Sequence, residues 1–324
     1  MILFPIFSDY EFIFKKISMY NPIVEAGSTH LAYSNIAQQW LNNGAPTSLP
    51  DGAIWANQLP ISSSEFKAWS ESSMEDWNTF LKQRSNEIMP GGYLVVNIQS
   101  SCLDGSIREN MAATLQKGQF NSSSKKITHY TKLTFFLQYF LAKQKMIKTG
   151  DLGVDEASKM IIPEYFKSLA QILEPLKSEK NLSIWKVEEA QFFETECPFK
   201  AEIDHLENSI MDEKLLKIAN EKIVAKQQKI LQSFMDPSLE SSIDKKKLKI
   251  FWNHVAMIAG SDTRALRSNF SSVIIVLSRL NTNSPSQIEP DPVKIICEKM
   301  EPDPITNIFP KIKPDPITKR NFGR

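Results

Sequence analysis

Glycine is scarce in this chain, with 11 among 324 residues, and no cluster of glycines follows a strand-like segment near the N-terminus. A glycine-rich loop that lets the backbone close in on a phosphate or a nucleoside is therefore not expected. Cysteine is scarcer still. Cys102, Cys197 and Cys297 are odd in number and far apart, which gives neither a disulfide framework nor the paired spacing of a zinc site and fits a reducing, cytoplasmic setting. Charge of one sign is missing as well: 38 basic against 37 acidic residues leave a net charge of +1, so no overall field favours nucleic acid or an anionic membrane. Long hydrophobic runs are absent. Met1 to Phe7 reads as a strand, and the unbroken apolar run Val273 to Leu277 is far below the ~20 residues a spanning helix needs. His30, His129, His205 and His254 are dispersed, so no metal ligand set emerges, and no Gly-x-Ser-x-Gly elbow supports hydrolytic chemistry.

What is present is enough apolar material, 42% of residues, for one large domain or one with an attached cap. Ser28 to Tyr33 reads as a short strand, and Ser34 or Asn35 is placed to cap a helix carrying Ile36, Ala37, Trp40 and Leu41. The box Ser72-x-x-Glu75 opens a helix with Trp77, Phe80, Leu81 and Ile88, which Pro90-Gly91-Gly92 ends before the apolar strand Tyr93 to Ile98. Strand, corner, helix, tight turn and buried strand make a piece of a doubly wound α/β sheet, whose ligands bind at the carboxyl ends of its strands. After a polar stretch at Ser122 to Lys126 the pattern turns helical: Leu133 to Leu141, a helix opened by Pro163, then Leu206 to Phe234 and Lys245 to Ile258, with a strand at Leu182 to Val187. From Asn281 onward Glu289-Pro-Asp-Pro292, Glu301-Pro-Asp-Pro304 and Lys313-Pro-Asp-Pro316 recur twelve residues apart. Proline lacks a backbone donor and disfavours helix before it, so this tail is expected to be extended and disordered, either a spacer or a set of short motifs for a partner.

Four stretches, in order, carry a family resemblance: Phe7 to Ile17, Ser28 to Leu41, Glu75 to Val96 and Ile162 to Ile172. Together they resemble the plant-type carboxyl methyltransferases, the SABATH family. Helix, Gly-Gly turn and strand at Glu75 to Val96 is the most specific of them. The resemblance implies an incomplete doubly wound, Rossmann-like methyltransferase sheet with a mostly helical cap. Its parts are a partial core over 1–121, a cap with interleaved core elements over 122–270, a closing strand at 271–280 and a disordered tail at 281–324.

It also implies S-adenosylmethionine as cofactor and the carboxylate of a small hydrophobic acid as acceptor. The family's glycine loop after strand one and acidic residue after strand two lie ahead of where this sequence starts. Its Gly-Ser-Phe-Tyr segment has no equivalent in the short connection from Ile17 to Gly27. Carried over residue by residue, Ser34 and Asn35 fall where the family chain approaches the cofactor. Gln39 and Trp40 stand for its His-Trp pair against the acceptor, with Ile36 in place of an aromatic contact. Helix capping by Ser34 or Asn35, and a plain core role for Trp40, are the structural alternatives. No side chain is assigned a catalytic step, because methyl transfer from a sulfonium asks mainly for alignment. A second class stays open: a catalytically inactive homologue acting as a subunit or scaffold, as a homo-oligomer or with a partner chain on the exposed sheet edge, or a sequence cut short from a longer protein.

Overall fold

In the computed structural model, residues 15–50, 52–100, 130–197, 199–210, 212–261, 270–281 and 295–297 are described. Met1 to Phe7, Ser122 to Lys126 and most of the Pro-Asp-Pro tail lie outside them. Five strands form one mixed sheet: β1 (Thr29–Asn35), β2 (Ile88–Gln99), β3 (Trp185–Thr195), β4 (Phe270–Arg279) and β5 (Ile295–Cys297), in spatial order β1-β2-β4-β3-β5. β1 and β2 run parallel, as a strand–helix–strand crossover requires, while β4 is antiparallel to both of its neighbours. β5 pairs parallel with β3 through three residues that lie between two of the Pro-Asp-Pro repeats.

The crossover is α1 (Ser64–Glu87). The Ser72-x-x-Glu75 box does not start it; Ser63 does, its hydroxyl accepting from Phe66 N at 3.1 Å, and the helix gains two further turns. Trp77, Phe80 and Leu81 on its inner face are buried with Leu94, Val96 and Ile98 of β2 and Val273, Ile275 and Leu277 of β4. Trp77 stacks on Phe80 and donates its indole N–H to Ile172 O at 3.0 Å, so the one polar atom of a fully buried side chain is satisfied. The Pro90-Gly91-Gly92 turn is no break between helix and strand: the helix stops at Glu87 and these residues lie inside β2. Gly91 supplies φ +83°, and the β1–β2 register slips between Thr29 and Leu31 to take up the kink.

At the β1 edge one face of the sheet is open. Leu31 and Tyr33 of β1 are 62% and 64% exposed, and Tyr93, the register partner of Leu31, is 46% exposed.

The remaining helices are α2 (Tyr130–Thr149), α3 (Val154–Lys159), α4 (Leu169–Leu173), α5 (Glu179–Leu182), α6 (Lys200–Ser209), α7 (Glu213–Leu239) and α8 (Lys245–Ser261). The long pattern at Leu206 to Phe234 is two helices, the first ending at Ser209 and the second starting at Glu213, which Asp212 caps through Lys214 N and Leu215 N. Tyr139 of α2, Met235 of α7 and Phe251 and Trp252 of α8 build a second core that also takes in Trp55. Pro163 opens no helix. Residues 161–168 run extended, bridging Trp40 through Glu164 and Ser100 through Lys167, and α4 begins only after Ser168. The strand expected at Leu182 starts later, at Trp185.

At Gly92 the backbone of β1 comes close to the kink in β2. A Cβ there would meet Ile88 Cγ2 at 2.7 Å, His30 O at 2.8 Å and Met89 O at 3.0 Å, two of them backbone atoms that cannot swing away. Gly92→Ala is therefore expected to cost about 1–3 kcal/mol of stability, the range for forced overpacking. Urea unfolding checks it, and an unchanged midpoint would show that β1 is free to move away.

Candidate functional site at the carboxyl end of the first strand

No helix follows β1. After Asn35 the chain enters the left-handed region at Ile36, φ +49°, and residues 37–41 form a tight corner. A β-branched residue in that region is strained, and such strain persists only where surrounding bonds impose it. Those bonds are present. Ile36 N donates to Asn97 O (2.8 Å), Tyr165 N to Gln39 O (2.8 Å) and Leu41 N to Pro163 O (2.8 Å). Side chains finish the clamp: Lys167 Nζ donates to Gln38 O (2.6 Å), Tyr20 Oη to Trp40 O (2.6 Å), and Asn42 N donates to Asp76 Oδ2 (2.9 Å). Capping is thus not what Ser34 and Asn35 do. Ser34 Oγ accepts from Gln38 Nε2 at 2.5 Å, and Asn35 Oδ1 accepts from Asn97 Nδ2 at 2.8 Å.

The five candidate residues share this corner but not one environment. Ser34 lines a cavity of about 360 Å³ together with Met19, Ala32, Ala37, Phe80 and Leu94. Ile36 is 46% exposed. Gln39 is buried, and Trp40, half-buried, packs against the core that holds Trp55 and Trp252. Trp40 is therefore neither a residue of an amphipathic helix nor free in solvent; it joins the sheet corner to the helical layer. Four residues that the sequence did not single out complete the site. Met19 and Tyr20 lie in the connection before β1. Glu164 and Lys167 are the two charges in the otherwise uncharged stretch from Ile161 to Ile172, which was the available signal.

Burial decides the electrostatics. Glu164 accepts from Trp55 Nε1 at 3.0 Å; desolvation pushes its carboxyl up to about 7, against the opposing hydrogen bonds of Trp55 and Gln39. Lys167 is 1% exposed, and desolvation brings its ammonium down to about 7, with the Asp76 charge opposing. Burial also raises Asp76, while the Asn42 N–H and Lys167 hold it down. Among the described residues no group of three His, Cys, Asp or Glu side chains is placed to hold a metal.

A nucleoside-bearing cofactor can be tested against these groups. Adenine asks for an apolar slot with a few polar atoms at its rim; the cavity beside Ser34 offers Met19, Ala32, Ala37 and Leu94 as walls and the Ser34 hydroxyl as a polar contact, at a volume within the range of ligand sites. The residues fit that end of S-adenosylmethionine. For the ribose hydroxyls and the amino-acid end the cavity holds no free charge, since Glu87 is in a buried ion pair with Arg84 at 2.9 Å.

The buried charges predict an unusual pH dependence. Between about 4.5 and about 7 Glu164 binds its proton more tightly folded than unfolded, so stability falls as pH rises through that window. Between about 7 and about 10.5 Lys167 releases its proton more readily folded than unfolded, so stability rises with pH there. Together they place a minimum near neutrality, and within pH 5 to 9 each limb changes stability by on the order of 2–3 kcal/mol. Urea unfolding from pH 5 to 9 is expected to show Glu164→Gln flattening the lower limb and Lys167→Met the upper one. Parallel profiles for wild type and both variants would show that neither group titrates in its buried position.

The chain covers 82% of its own length, and 65% of the other's, on a solved loganic acid methyltransferase with SAH, at a TM-score of 0.53 and 16% identity, which is a likeness of fold. Among curated proteins it is 22% identical over 272 residues to a 3,7-dimethylxanthine N-methyltransferase of Camellia sinensis var. assamica, covering 81% of this chain and 62% of that one. It is 26% identical over 181 residues to a probable methyltransferase of Theobroma cacao, covering 54% of this chain and 43% of that one. The chain thus spans about 62% of the length of the dimethylxanthine relative. The family described as SAM dependent carboxyl methyltransferase has a pattern that matches residues 16–280 of this chain, and the chain belongs to that family.

Proposed function

We propose that this chain supplies the β1-corner side of a methyl-transfer site, with the adenosyl end of S-adenosylmethionine beside Ser34, Asn35 and Met19 and a small, mostly apolar acceptor against Ile36, Gln39 and Trp40. The clamped, strained corner carries this reading, because it fixes the residues on both sides of a transfer path at the end of the sheet where doubly wound folds bind ligands. The sulfonium, when bound, supplies an activated methyl group. What remains for protein residues is alignment. Trp40 holds a flat acceptor, Ile36 leaves the outer wall aliphatic, and the hydrogen bonds to Gln38 O, Gln39 O and Trp40 O stop the corner from drifting as ligands enter. The family description favours a carboxylic acid as acceptor, and the dimethylxanthine relatives a ring nitrogen.

A second reading has its own observation. β1 is an edge strand among the described residues, and Leu31 and Tyr33 stand exposed beside Tyr93. A partner chain, or a second copy, covering that edge would make this polypeptide a subunit, with or without turnover.

Titration calorimetry of the full chain with S-adenosylhomocysteine separates the two. Binding is expected, and Ala37→Phe, which fills the cavity beside Ser34, is expected to weaken it at least tenfold with the thermal midpoint unchanged. Absence of heat at millimolar ligand would remove the methyl-transfer reading for this chain and leave the subunit one.

A further inference from the structure

β3 hydrogen-bonds β4 along one side, and on its other side a second strand has been added. Ala190, Gln191 and Phe192 pair there in parallel with Ile295, Ile296 and Cys297 of β5. On β3 that short ladder is flanked by Glu188, Glu189 and Glu194, exposed charges that discourage a longer one. The family pattern ends at residue 280, so the added strand lies outside it. It belongs to the first of three units that share Pro-Asp-Pro followed by Val or Ile: Glu289 to Met300, Glu301 to Ile312 and Lys313 to Arg324.

Backbone pairing asks little of the incoming side chains, so a unit that recurs in the sequence is a ligand that recurs. Side chains then rank the three. In the register of the first unit, the second sets Asn307, Ile308 and Phe309 along Ala190, Gln191 and Phe192, and the third sets Lys319, Arg320 and Asn321 there. Ala190 and Phe192 belong to the apolar core behind the sheet. The second unit brings Phe309 opposite Phe192, an aromatic pair, whereas the third brings Lys319 opposite Ala190. The third is the poor occupant. Chain length hardly separates the other two: about 15 residues join the end of β4 to Ile295 and about 27 join it to Asn307, and closing the longer connection is less probable by only about a factor of two.

We propose that the Ala190–Phe192 edge of β3 is a strand-addition site for this repeat, occupied in exchange by the first and second units of the chain's own tail. Release of one is followed by capture of the other, and the edge stays closed to association with other chains. The occupant is the chain's own segment because a tethered strand acts at an effective concentration on the order of millimolar, far above that of a second copy in dilute solution. The inference is independent of the methyl-transfer reading.

Hydrogen exchange of the full chain, followed by mass spectrometry on the segment holding Ala190 to Phe193, tests it. Proline at the centre of either unit's strand removes a donor and blocks pairing, and both positions lie beyond the family pattern, so the domain's own core is untouched. Ile296→Pro is expected to speed exchange only about threefold, because the second unit takes over. Ile296→Pro combined with Ile308→Pro is expected to speed it about tenfold. A synthetic peptide of Glu301 to Ile312 added to the double variant is expected to restore protection, and one of Lys313 to Arg324 is not. The proposal is overturned if the double variant exchanges as slowly as wild type, if Ile296→Pro alone exchanges as fast as the double variant, or if the second-unit peptide restores nothing. Protection in Ile296→Pro that rises with protein concentration would overturn it too, since the occupant would then be a second copy.

Discussion

The hydrogen bond from the buried Lys167 ammonium to Gln38 O is the constraint on which the site is built. A lysine almost wholly removed from water is costly unless its donors are used, and here one of them closes the corner that follows β1. Asp76, which opposes the lowering of the Lys167 pKa, holds Asn42 N at the far end of the same corner. Cation and carboxylate thus grip the two ends of one short segment from opposite elements, the extended 161–168 stretch and α1. The left-handed Ile36 follows from this grip. With its neighbours held on both sides, the chain can leave β1 only through a region that a β-branched residue otherwise avoids.

That arrangement explains why the sheet edge and the helical layer belong to one device. Glu164 and Lys167 lie three residues apart on the same extended stretch; the first bridges Trp40 and binds Trp55 of the second core, and the second bridges Ser100 at the end of β2. A movement of the helical layer must therefore be transmitted to the corner through these backbone bridges. Tyr20, whose hydroxyl is made less acidic by burial and by the Asp76 charge, remains a neutral donor to Trp40 O and ties in the connection before β1.

The strand–helix–strand unit was legible in the sequence because its signals are local: the apolar run at Tyr93 to Ile98 and the helical spacing of Trp77, Phe80 and Leu81. The corner was not. Ser34-Asn35 before Ile36, Ala37 and Trp40 has the composition of a capped helix, and only tertiary bonds from residues about 130 positions away, Tyr165 and Lys167, forbid one. Pro163 misleads for the same reason, since a proline that suits the first turn of a helix equally suits an extended stretch, and the bridges to Trp40 and Ser100 decide between them. Ser72 and Glu75 formed a convincing box, yet Ser63 caps the helix, because nothing between Ser64 and Ser72 breaks it. Resemblance singled out five residues that share this corner, while their partners Glu164, Lys167 and Asp76 carried no periodic signal at all.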